Sequence, residues 1–137
     1  MKLLTPKQIV EQRRSAGGNS AIADFSAVDL KQPFIHEHYT QLYHSDIYGV
    51  LNDTQRLRYN QLYCMRTNEQ FMLFESGFTQ RVMSRLLKSR DIDDPGTLKQ
   101  CLNILLEEER RHYTMFYTLN KLSNPAIYSR RPYHFLR

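Results

Sequence analysis

Glu75, in the run QFMLFESGF, and Glu109 with His112, in LLEEERRHYTMF, are the residues whose types and spacing could hold a metal ion. Carboxylate oxygens can bridge two cations and imidazole adds a borderline nitrogen ligand. One single glutamate and one Glu-x-x-His pair therefore look like half of a carboxylate-bridged di-iron site. Glu75 is expected as a terminal carboxylate on one iron, Glu109 as the bridging carboxylate and His112 as the nitrogen ligand. Glu108, four residues before His112, is the rival for the bridging place. Glu109 and His112 are three apart and share a helix face, and Leu105, Met115, Phe116 and Leu119 turn that face toward a core. Ionisable groups on such a face are costly unless something pairs with them.

A helical hairpin must bring these residues together. The strongest turn signal is Asp91-Ile92-Asp93-Asp94-Pro95-Gly96, between two long helical patterns. Glu75 lies 17 residues before Ile92 and Glu109 lies 17 after it, so an antiparallel hairpin sets both carboxylates at one level. Glu69 would sit about 9 Å further from the turn at a rise of about 1.5 Å per residue, which favours Glu75. On its own, the run Glu107-Glu108-Glu109-Arg110-Arg111 reads as a solvated charged face. The matched level of Glu75, among Phe71, Met72, Phe78 and Val82, is what singles out Glu109 and His112.

The first long helix is expected from Asp53 or Thr54, either of which can cap it, to about Arg90, with Leu62, Met65, Met72, Phe78, Val82 and Leu86 at helical spacing. Gly77 costs about 1 kcal/mol in a helix interior, a sign of close packing or of tolerance. The second is expected from about Pro95 to Leu122, with Leu98, Cys101, Leu102, Leu105, His112, Met115, Phe116 and Leu119 inward, and Asn124-Pro125 ends it. Residues 1–32 read as a flexible N-terminal arm, with a short helix at Thr5 to Arg14 and a linker at Ser15 to Ser20. Residues 33–137 form the helical domain, which opens with an irregular, aromatic-rich strap from Pro33 to Val50.

The 137 residues allow one domain with a modest core. No apolar run is long enough to span a membrane, and the N-terminus lacks the apolar core of a secretory signal, so a cytoplasmic protein is expected. Cys64 and Cys101 have neither CxxC nor zinc-finger spacing and read as reduced core thiols. The net charge of +5 is dispersed over separated arginine pairs without a recognition motif, so no nucleic-acid partner is expected. His36, Glu37, His38 and His44 lack helical metal-ligand spacing and suit surface or capping roles better than a metal site. Tyr59, Tyr63, Tyr113 and Tyr117 could be redox-active beside iron, although aromatics at helical spacing usually build cores.

LNDTQRLRYNQLY, then NEQFMLFE, then EEERRHYTMFYTLNKL resemble the N-terminal half of bacterial non-haem di-iron oxygenases of the p-aminobenzoate N-oxygenase type, from roughly Pro33 onward. The resemblance implies an all-α, ferritin-like fold, here a half-bundle. It also implies a di-iron centre held by Glu75, Glu109 and His112, dioxygen as co-substrate, an unidentified electron donor, and a small molecule such as an arylamine that is N-oxygenated. Family members carry a second half with a further glutamate, a further Glu-x-x-His and an additional histidine, and no such segment follows Leu122 here. Either two copies assemble as a homodimer with one four-helix bundle, or the complement is a missing C-terminal half. The alternative function is a catalytically silent helical interaction module whose acidic residues pair with arginines such as Arg81 and Arg111 of a partner.

Overall fold

Thr5 opens the first helix by a reciprocal exchange with Gln8. The Thr5 backbone N–H donates to Gln8 Oε1 at 2.9 Å, and the Gln8 N–H donates to Thr5 Oγ1 at 3.4 Å. The computed structural model describes residues 4–15, 24–89, 95–128 and 131–136. Helix α1 runs Pro6–Ser15, with proline at its first position, where the helix expected at Thr5 to Arg14 lies. Residues 16–20 of the expected linker lie outside the described residues.

A second exchange, between Asn52 and Gln55, starts the first long helix, both bonds being 3.0 Å. The cap is thus Asn52, not the expected Asp53 or Thr54, because Asn52 has a glutamine three residues on to answer it. A short α2, Asp46–Val50, precedes it, and α3 spans Asp53–Leu73. Where one uninterrupted α-helix was expected, a π-helical segment intervenes at Phe74–Thr79, followed by α4, Gln80–Lys88. The backbone stays right-handed on both sides of the π segment, at Leu73 and Gln80. Helix α5 spans Pro95–Ser123, and Asn124 starts the short α6, Pro125–Tyr128. Residues 91–94 of the expected turn lie outside the described residues. The described residues are all-helical, without a strand, and none of their helices is long and apolar enough to cross a membrane.

The chain divides into two units. One comprises Asp24–Phe71 and Phe116–Arg137. There, three successive α3 side chains satisfy the backbone of the strap and of the residues just before it. Asn60 Oδ1 accepts from Phe34 N–H at 2.8 Å while its amide donates to Ile35 O at 2.7 Å. Gln61 donates to Leu30 O at 2.7 Å, and Leu42 N–H donates to Tyr59 Oη at 2.9 Å. The strap itself is two 3-10 turns, Glu37–Tyr39 and Gln41–His44, leading into α2. Opposite them, Asn68 donates to Asn120 Oδ1 at 2.9 Å and Asn120 donates to Met65 O at 3.0 Å, while Phe71 stacks on Phe116 at 5.5 Å. Both asparagines are buried, so a slipped register would strand amide groups away from water.

Glu69 is the most heavily bonded side chain of this unit. It is fully buried, and its Oε1 accepts from the Tyr128 hydroxyl at 2.7 Å and His134 N–H at 2.6 Å. Its Oε2 accepts from Phe135 N–H at 2.7 Å and Leu136 N–H at 2.9 Å. Successive backbone N–H groups form a concave anion site, and here the anion is the protein's own carboxylate. Tyr128 and residues 134–136, in a segment with no structural role legible in the sequence, are held by this clasp.

The other unit comprises Met1–Ala23 and Met72–Met115. Its buried apolar side chains are Val10, Met72, Cys101, Leu102 and Leu106, and Arg13 of α1 pairs with Glu108 of α5 at 3.0 Å. A Cβ at Gly77 would meet only Leu73 Cδ1, at 3.8 Å, so this glycine reflects tolerance and not close packing.

Replacing Glu69 by alanine removes the acceptor of four donors and is expected to cost about 3 kcal/mol. Urea denaturation should show a lower midpoint, and protease should cut within residues 131–136. An unchanged midpoint would contradict the clasp.

Candidate metal centre

The site is built by the π segment and the middle of α5, both in the second unit described above. In an i→i+5 turn the chain takes one extra residue, which rotates the side chains after it relative to an uninterrupted α-helix. The Gln80 N–H closes this turn on Glu75 O. Glu75 is only 6% exposed, although its neighbours Phe74 and Phe78 are 56% and 58% exposed. From α5, Glu109 is half-buried and the His112 ring is exposed at its outer side. Glu75, Glu109 and His112 each offer one ligand atom, and these atoms lie within 4.8 Å of one another. Among the described residues they are the group of acidic, histidine or cysteine side chains that could hold a cation.

The electrostatics of the group are unbalanced. Glu75 Oε1 is 3.5 Å from His112 Nδ1, too long for a strong hydrogen bond, and Glu75 Oε2 is buried with no hydrogen-bond partner. Burial pushes the Glu75 carboxyl up to about 7, the Glu109 carboxylate adds to the rise, and His112 opposes it. Thr79 Oγ1, at the end of the π segment, is also buried without a partner. A divalent cation would answer the unpartnered Glu75 oxygen, since two carboxylates and an imidazole are hard and borderline ligands suited to iron, zinc or manganese. The 3.5 Å between Oε1 and Nδ1 matches the span of two ligands each about 2.1 Å from one ion.

The structure therefore brings ligand atoms of Glu75, Glu109 and His112 within 4.8 Å of one another. Glu108 is engaged by Arg13, which leaves Glu109 as the carboxylate beside Glu75. Glu69 serves the clasp. His36 and His38 lie ring to ring at 4.1 Å, and His44 Nε2 contacts His38 O at 2.9 Å, an arrangement of ring and backbone contacts. Tyr59 holds the strap and packs on Tyr63 at 6.0 Å, and Lys121 sits 5.9 Å from the centre of the Tyr117 ring. Cys64 and Cys101 are buried free thiols, and burial raises the Cys64 pKa.

One expectation fails. Of the apolar residues read as surrounding Glu75, only Met72 is buried, while Phe71, Phe78 and Val82 are exposed. Helical periodicity marks a face as apolar without saying whether anything covers it. Two functional features escape the sequence reading. The π segment has no sequence signature beyond Gly77 amid bulky residues. The Glu69 clasp could have been suspected, because Glu69 lies four residues after Met65 and three before Met72, on the stripe that becomes buried.

In the metal-free protein Glu75 holds its proton to about pH 7, against 4.5 for the ordinary carboxyl of an unfolded chain. A raised folded pKa means that the stability associated with the neutral form is complete below 4.5 and is lost as pH rises through 7. Chelator-treated protein should therefore lose stability between pH 5 and pH 8 more steeply than Glu75→Gln, which has no proton to release. Parallel pH profiles for the two proteins would refute the assignment.

No protein-family model, curated protein or solved structure matches this chain, so its function rests on the chemistry of the site.

Proposed function

We propose that this chain binds iron through Glu75, Glu109 and His112, as part of a di-iron centre that carries out a dioxygen-dependent oxidation. The observation that carries the metal reading is Glu75, a buried carboxylate with one unpartnered oxygen, facing a second carboxylate and an imidazole. Leaving that charge without a partner is expensive, and burial of a protonated acid wastes the two neighbouring ligands. The location on a π segment supports the same reading, since such turns recur at functional sites.

The reaction class draws on the resemblance to p-aminobenzoate N-oxygenase-like enzymes. By that resemblance the fold is a ferritin-like half-bundle and the substrate class is an arylamine. Bound iron would supply reductive activation of dioxygen, with electrons from a donor that the chain does not identify. The residues themselves perform simpler tasks. Glu75 gives up its proton as the cation enters, Glu109 supplies the second carboxylate, and His112 contributes a neutral nitrogen at the exposed edge, where a small substrate can approach. A second reading, a helical interaction module without catalysis, is favoured by the exposed apolar side chains of the π segment and α4.

Metal analysis of protein expressed with iron tests the proposal. The wild-type chain should retain iron, and Glu109→Ala and His112→Ala should each lower its content at least tenfold. The folded fraction of Glu69→Ala should keep it. Iron-free wild-type protein that also fails to take up Fe(II) on titration would leave the interaction module as the better account.

A further inference from the structure

Glu108 and Glu109 offer His112 the same chemistry. On α5 they precede it by four residues and by three, and both spacings make helix-surface neighbours, about 5–6 Å apart at Cβ. The fold nevertheless treats them differently. Glu109 places a ligand atom within 4.8 Å of those of Glu75 and His112, while Glu108 Oε1 lies 3.0 Å from Arg13 Nη1 of α1. The Arg13 side chain is only 18% exposed, so water competes poorly for this pair.

Helix α1 is placed to do this. Val10 is its buried residue, and Arg13, three residues on, lies on the same face. A groove between α1 and α5 is lined by Val10, Arg13 and Arg14 from the first and by Gln100, Asn103 and Ile104 from the second. Gln100, Ile104 and Glu108 succeed one another at four-residue steps, so the stripe of α5 that runs beside α1 leads to the carboxylate that Arg13 holds. Glu109, one residue further, is turned by about 100° from that stripe.

We infer that Arg13 is a positioning residue of the metal site, which by holding Glu108 makes Glu109 the second carboxylate and keeps Glu108 as a ligand in reserve. The inference rests on the reading of Glu75, Glu109 and His112 as metal ligands. Two carboxylates balance the charge of a divalent cation, and a third would leave net negative charge in a site where Glu75 is buried. Arg13 removes that third carboxylate from the set and neutralises it elsewhere. The N-terminal helix thus governs the composition of the site although it supplies no ligand, in the way that outer residues orient the groups that touch a metal. Released from Arg13, Glu108 stands one helical turn from His112 and can take the place of Glu109.

The test is anaerobic titration of the full chain with Fe(II), with the visible bands of bound Co(II) as a second probe of the ligand set. Glu109→Ala alone should weaken binding about tenfold or more, because Glu108 stays with Arg13. Adding Arg13→Ala should restore most of that loss, since residues that share a partner do not act additively. Removing Glu108 as well should abolish the restored binding and its Co(II) bands. Arg13→Lys keeps the positive charge and should restore little. If Arg13→Ala lowers the helical circular dichroism, Arg13→Gln repeats the test with a longer uncharged side chain. Failure of these changes to improve on Glu109→Ala would overturn the positioning role, as would restored binding that survives the loss of Glu108. Wild-type protein that takes up neither Fe(II) nor Co(II) would instead overturn the ligand reading on which the inference rests.

Discussion

A carboxylate taken out of water must find donors, a proton or a cation, and among the described residues two are buried, six positions apart in sequence. Their environments are opposite. Glu69 accepts four hydrogen bonds, three of them from successive backbone N–H groups, and so can stay ionised in the interior. Glu75 has one oxygen without a partner and another only loosely approached by an imidazole. The first arrangement is a closed structural anchor. The second is an open valence, and the functional interpretation of the molecule depends on that contrast.

What separates the two outcomes is local geometry. Glu69 lies in regular α-helix, on the stripe of Met65, Asn68 and Met72, and meets a chain segment that brings its own donors. Glu75 lies in the π segment, where the wider turn breaks the α-helical periodicity and the neighbouring phenylalanines face outward. Opposite it, α5 supplies a carboxylate and an imidazole one helical turn apart. Burial, reinforced by the Glu109 carboxylate and opposed by His112, pushes the Glu75 carboxyl up to about 7. Proton and metal are then competitors for the same oxygen atoms.

The polar content of the interior bears on specificity. Thr40, Asn60, Gln61, Asn68 and Asn120 are buried beside a small set of apolar groups, and each of the amides has hydrogen-bond partners in the strap, in the residues just before it or on the facing helix. Such groups contribute little net stability, but they penalise every alternative register, because a shift of one residue leaves them unsatisfied. The helices are thereby held at the level that brings Asn68 opposite Asn120. The apolar stripe from Phe74 to Leu86 has no such partners and remains in solvent.

Much of this was legible in the residues. The existence of the long helices followed from apolar spacing and from Pro95 and Asn124-Pro125, since helical periodicity and proline's effects are local and written in the chain. The pairing of Glu75 with Glu109 and His112 followed from counting outward from one turn, because helical rise is nearly constant. The tertiary structure alone decided the rest. It tied Glu108 to Arg13, turned Glu69 into the anchor of a tail more than sixty residues away in sequence, and left Phe78 and Val82 uncovered. It also inserted the π turn, whose cost is local but whose stabilisation must come from neighbours. Those outcomes depend on which groups compete for the same donors and surfaces in three dimensions, and periodicity along one helix carries no record of that competition.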